Sequence, residues 1–358
     1  VSTGALYLLG VTGHAFWLLF IFCVLASYFD HPTMTWIEPD GAIHDRFAGL
    51  EAHARVSREG AEHLFAASGK SLVDAVSRAD SGKRPGSYPL NTRVRIAAVS
   101  THETVDSSNV VGIIHGSDPA LSREFVTLVA HLDHVGIGKP VEGDEIYNGA
   151  YDNASGVAAM IAVARALGRM EISPARSIVF IAVTGEEKGL LGADYFARYP
   201  TAPVGEVVAA FSLDMFLMLF PLHDIVAYGA EHSSLSDDVD KAAAALGLIV
   251  SPDPVPEEVL FVRTDHYPFV KLGIPSLYID HGLESGDESI DGEALVRKWM
   301  KNVYHRPSDD LNQTFEWQAG ADFAKLNLLL TWEVASDPAR PAWNEGDFFG
   351  ERFGRSGR

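Results

Sequence analysis

The chain has 358 residues, with 28 Lys and Arg against 48 Asp and Glu, a formal net charge of −20. At 47% hydrophobic and 21% charged residues it can build a large core, which excludes global disorder. The acidic balance argues against a nucleic-acid partner, which needs a basic face, and the lone Cys23 excludes a disulfide framework or a multi-thiolate metal site. Any metal must therefore be held by His and carboxylates. At ~100–200 residues per domain, the length predicts two domains or one large domain with an appendage.

Residues 1–29 carry no Asp, Glu, Lys or Arg, and AFWLLFIFCVLA (Ala15 to Ala26) is an almost unbroken apolar run. Residues 5–29 approach the ~20 apolar residues that span a bilayer. The segment 1–30 thus reads either as a membrane anchor or as the buried core of a truncated domain. A signal peptide would open with positive charge, and none stands here. Val56, Ala61, Leu64, Phe65, Leu72, Val73 and Val76 recur at helical spacing, with Ser57 and Ser71 as caps. SGKRPGSYP then reads as a linker that closes the segment 31–90.

From 91 to 335 short β-rich runs alternate with helices: 93–100, 109–116, 125–133, 177–187, 207–214, 224–229 and 275–280. Several are continuously apolar, as strands covered on both faces must be, which predicts an α/β fold with a central, largely parallel sheet. SGVAAMIAVARALG (155–168) supplies a crossover helix between the third and fourth runs. Residues 336–358 form a polar, aromatic and glycine-rich tail.

Acids and imidazoles recur where these strands end, the edge at which open α/β sheets bind ligands. FVTLVA runs into His131, Asp133 and His134; SIVFIAVTG into Glu186 and Glu187; VVAAFSL into Asp214. Asp152 precedes the 155–168 helix, and His305, Asp309 and Asp310 share a turn-rich loop. Singly, Asp152 reads as a helix cap and the glutamate pair as a first-turn pair. Jointly, such a carboxylate cluster repels itself unless cations neutralise it. Two divalent ions ~3.5–4 Å apart can share a bridging carboxylate and a water. Each then needs one imidazole and one further carboxylate, a demand met by His131, Asp152, Glu187, Asp214 and His305. Glu186 and Glu187 cannot both point the same way, so one binds metal while the other faces the water as base. Asp133 and Asp309 are placed to hold the imidazoles of His131 and His305 from behind; His134 and Asp310 read as bystanders or outer partners.

The segments AHLDH, NGAYDNASG, TGEEKGLLGADYF, SLDM and YHRPSDD, together with FVRTDHYPFVKLGIPSLYI (261–279), resemble in order the motifs of the M28 family of zinc peptidases. The resemblance implies a phosphorylase/hydrolase-like three-layer α/β sandwich with a mixed, mostly parallel sheet. It implies two zinc ions, with His131 and Asp214 on one, Glu187 and His305 on the other, Asp152 between them and Glu186 as catalytic base. Residues 31–90 resemble the end of the protease-associated insert found before the core in part of that family. An exported protein, periplasmic, secreted or membrane-anchored through 5–29, is the location this implies.

The function expected is a co-catalytic di-zinc exopeptidase acting on peptides, an aminopeptidase first. A carboxypeptidase or dipeptidase would want a dedicated cation for the terminal carboxylate, with Arg263, Lys271 and Arg306 as candidates. Glutaminyl-cyclase relatives lack the first His ligand, so His131 counts against them. A non-catalytic binding relative would have lost ligands, and no G-x-S-x-G elbow supports a serine hydrolase.

Overall fold

Successive side chains of a strand point to opposite faces, so a strand that is apolar throughout must be covered twice. The computed structural model, which describes residues 33–44, 56–66, 68–84, 101–201 and 205–354, shows that arrangement in the second of two compact units, Val1–Val105 and Asp106–Arg358. The apolar run 5–29 and the strand expected at 93–100 lie outside the described residues. Among the described residues no helix is long and apolar enough to cross a membrane.

In the first unit the helical periodicity resolves into two helices, α1 (Arg58–Ala66) and α2 (Leu72–Asp80). Ala61, Leu72 and Ala75 are buried, while Val73 and Val76 are exposed. Ser71 caps α2, its hydroxyl accepting the Asp74 N–H at 3.1 Å.

The strands of the second unit are β1 (Val110–Ile114), β2 (Glu124–His131), β3 (Gly136–Val141), β4 (Asp144–Tyr147), β5 (Ser177–Val183), β6 (Glu206–Ser212), β7 (Asp224–Tyr228), β8 (Ile249–Val250) and β9 (Ser276–His281). Seven form one sheet in the order β1-β5-β2-β6-β9-β7-β8. The pairs are parallel except β1 with β5 and β7 with β9. Its helices are α3 (Gly156–Leu167), α4 (Leu191–Arg198), α5 (Leu235–Ala245), α6 (Tyr267–Val270), α7 (Gly292–Asn302), α8 (Trp317–Ser336) and α9 (Phe348–Phe353).

Two cores sandwich the sheet. Val126, Leu128 and Ala130 of β2 and Ile178, Phe180 and Ala182 of β5 pack with α3, α5 and α8. The intervening Val129, Val179, Ile181 and Val183 pack with Phe196 of α4 and Phe269 of α6 on the opposite side. Helices, sheet and helices make three layers, the sandwich that the family resemblance implies. The C-terminal stretch is packed as well, with Phe349 and Phe353 against the core of Phe261, Tyr228 and Tyr278. Arg176, at the start of β5, is fully buried and donates to Glu124 (2.6 Å) and to the carbonyls of Val334, Asp337, Pro338 and Ala339, tying the end of α8 to the sheet.

Strands β3 and β4 form a separate hairpin. Val141 pairs with Asp144, and the two residues between, Glu142 and Gly143, have φ of +53° and +95°, the left-handed turn a tight hairpin needs. The hairpin lies in the chain between His134 and Asp152, with Ile137 and Ile146 paired and exposed.

Candidate metal centre

Three parallel strands carry their chemistry at one end. His131 is the last residue of β2, Glu186 and Glu187 open a tight turn after β5, and Asp214 lies two residues past β6. Asp152 sits in a wide turn, Ala150–Ser155, that leads into α3, and His305 follows α7 with φ +52°. These distant segments converge. His131 Nε2 is 3.1 Å from Asp214 Oδ1 and 3.3 Å from Asp152 Oδ1. The other Asp152 oxygen, Oδ2, is 3.1 Å from His305 Nε2, which is itself 3.4 Å from Glu187 Oε2. The donors fall into two groups that share Asp152: His131, Asp152 and Asp214, and His134, Asp152, Glu187 and His305.

His134, which the sequence leaves among the bystanders, is thus inside the second group, its Nδ1 2.9 Å from Glu187 Oε1. A histidine next to a ligand segment gives no sign of its direction in a sequence; here its ring packs against Gly149, which has no side chain to displace it. A Cβ on Gly149, which has φ +69°, would lie 2.7 Å from His134 Cγ.

The outer carboxylates act differently from the sequence expectation. His131 Nδ1–H donates to the backbone carbonyl of Asp133 (2.9 Å), which turns Nε2 toward the acids. The Asp133 side chain, 4.0 Å from Nδ1, instead accepts the backbone N–H groups of Glu186 (3.2 Å) and Glu187 (3.3 Å). Asp309, expected behind His305, accepts the N–H groups of Tyr151 (2.9 Å) and Asp152 (3.1 Å). Each acid braces the loop that bears another ligand, because buried N–H groups in irregular turns have no ladder to pair with. Asn153 performs a third such suture: its Nδ2 donates to Leu213 O (2.9 Å) and its Oδ1 accepts from Gly156 N–H (3.0 Å) and Met215 N–H (3.1 Å). The sequence offers no assignment for Asn153. His305 is held by stacking on Tyr304, ring centroids 3.9 Å apart.

The charges make this arrangement costly by itself. Burial, then Asp214, Asp265 and Glu187, push the Glu186 carboxyl up to about 10. Burial raises Asp214, and burial pushes Asp265, fully enclosed with both oxygens unpartnered, up to about 8. Asp152 moves the other way: burial opposes its charge, but hydrogen bonds to His131 and His305 hold it below the usual carboxylate range. Several buried acids that cannot all be ionised, gathered with imidazole nitrogens, fit divalent cations that accept nitrogen and oxygen donors. The absence of thiolates fits zinc with N and O ligands and disfavours a softer metal.

A three-layer α/β sandwich with such a donor cluster at the strand ends defines a metallohydrolase-type centre. The sequence pattern of peptidase family M28 matches residues 109–331, well over half of the chain, and the chain belongs to that family. It is similar to a probable zinc metalloprotease of Pyrenophora tritici-repentis, with 27% identity over 66% of this chain and 59% of that protein. It is also similar to the probable leucine aminopeptidase 2 of Aspergillus oryzae, with 25% identity over 59% of this chain and 42% of that protein. Among solved structures, a zinc aminopeptidase from Bacillus subtilis aligns at a TM-score of 0.48, with 22% identity, over 65% of this chain and 51% of its own. The chain spans about half the length of the curated relatives it matches.

Proposed function

We propose that this chain is a co-catalytic di-zinc aminopeptidase, with His131 and Asp214 on one ion, Glu187 and His305 on the other, and Asp152 shared. The observation that carries this reading is the division of Asp152, whose two oxygens face imidazoles of different donor groups, Oδ1 toward His131 and Oδ2 toward His305. A carboxylate placed so is what two ions held side by side share. Bound there, the ions would supply Lewis acidity and lower the pKa of a water to near neutrality.

Glu186 is the residue left to move the proton. It stands beside the ligand Glu187, is half-buried, and has its backbone N–H fixed by Asp133. Its carboxylate takes the proton of the attacking water and returns it to the leaving amine. Cations beside it counter the acids that raise its pKa, which favours the ionised form a base requires.

The reading as an aminopeptidase draws on the charged side chains around the centre. The surplus of carboxylates suits a free α-amine. Of the three cations that could clamp a terminal carboxylate, Lys271 is paired with Asp194 at 3.2 Å and Arg263 with Glu258 at 3.2 Å, which leaves the exposed Arg306 as the one a carboxypeptidase would use. The test has two parts. Glu186→Gln is expected to lower kcat/KM by ~10²–10⁴-fold while retaining its zinc; wild-type turnover in that variant would remove Glu186 from the mechanism. Dipeptides with a free amine and an amidated C-terminus are expected to be cleaved and N-acetylated ones spared. The reverse pattern would make the enzyme a carboxypeptidase.

A further inference from the structure

We infer, building on the two-ion reading above, that His134 is a sixth protein ligand, which gives the second ion four protein donors (His134, Asp152, Glu187 and His305) and leaves the first with three. His134 Nδ1 lies 2.9 Å from Glu187 Oε1 and 3.8 Å from Asp152 Oδ2, and its ring stands at 78° to that of His305 with centroids 5.5 Å apart. The side chain is 6% exposed, yet neither ring nitrogen has a hydrogen-bond partner, and neither does Glu187 Oε1. Nδ1 and Oε1 are therefore close without being aligned on each other, as two donors aimed at a common third point are.

The spacing agrees. Donors ~2.0–2.2 Å from a tetrahedral centre stand roughly 3.3–3.6 Å from one another. The separations found here between imidazole nitrogens and carboxylate oxygens are 2.9, 3.1, 3.4 and 3.8 Å. Left unliganded, a buried imidazole with both nitrogens unpaired would cost the desolvation of each. The ring occupies space that a Cβ on Gly149 would fill, 2.7 Å from His134 Cγ.

Each added protein donor strengthens the hold on an ion, and zinc can still expand to five-coordinate to keep a shared water. Four protein donors would hold the second ion more tightly than three would hold the first.

X-ray absorption at the zinc edge on the full chain loaded with two zinc ions is expected to count three imidazoles shared by the pair; a count of two overturns the assignment. Competition titration against a chromophoric chelator adds a second reading. His134→Ala is expected to weaken the tighter site by more than the ~10–100-fold that loss of an outer partner costs, with the weaker site unmoved. His134→Gln, whose amide can still hydrogen-bond Glu187 but is a poor zinc ligand, is expected to give no rescue; recovery of wild-type affinity by Gln would make His134 an outer partner only. Fewer than two zinc ions on the wild-type chain would instead defeat the two-ion reading itself, so the two failures are separable.

Discussion

Asp309 shows how a single buried side chain decides the shape of the centre without touching a metal. Its carboxylate holds the Tyr151 and Asp152 N–H groups, and its own backbone carbonyl accepts from Ala150 N–H at 3.1 Å. Asp309→Ala leaves two buried donors unpaired, a loss of about 2–4 kcal/mol, with zinc affinity falling ~10–100-fold. Paired urea melts and zinc competition measure both, and a variant that is merely destabilised would leave affinity unchanged. His266 offers a test in pH. It is fully enclosed, hydrogen-bonded through Nδ1 to Thr264 Oγ1 at 2.7 Å, and burial pushes its pKa down to about 3. Below the unfolded value of about 6.5 the unfolded chain takes a proton that the folded chain refuses. Stability from this group is thus full above about pH 6.5 and declines as pH falls toward 3. His266→Gln is expected to flatten the fall of Tm across that range, and an unchanged slope would refute it. At this scale the sequence was informative where a residue ends a strand, as with His131 and Asp214. It was silent on His134 and Asn153, whose direction is set by neighbours far along the chain.

At the scale of elements, helix α3 begins against the segment that carries Asp214. A Cβ on Gly156 would lie 2.2 Å from Leu213 O and 2.3 Å from Asn153 Oδ1. Gly156→Ala must therefore lift the helix start away from β6, and with it Asp152 from Asp214. The expected loss is about 1–3 kcal/mol or more, accompanied by reduced zinc content. Denaturant unfolding combined with metal analysis checks it, and retention of full zinc would show that the centre tolerates the shift. The strands of the sheet were readable because continuous apolar runs have few other uses. The turn Ala150–Ser155 was not: Asp152 looks like a helix cap, but the helix starts at Gly156 and Asp152 faces the imidazoles. Helix α8 also escaped, since its apolar residues run nearly all round it and leave little amphipathic signal. The β3–β4 hairpin has an EGDE turn that could have marked it, but its strands are short and largely exposed.

For the whole molecule, metal and fold are thermodynamically linked. Acids gathered at the sheet edge repel one another until cations offset them, so chelation is expected to lower Tm and zinc to restore it, in proportion to the logarithm of free zinc. Scanning calorimetry across a zinc series checks this, and a Tm indifferent to chelator would mean that the cluster carries no bound ion. The overall plan of the second unit was legible because its layers follow from strand hydrophobicity.

The β3–β4 hairpin leaves the chain just after His134 and returns just before Asp152, pairs only with itself, and shares no ladder with the main sheet. Because its strands are largely exposed, a change in its length would break no ladder of the seven-stranded sheet.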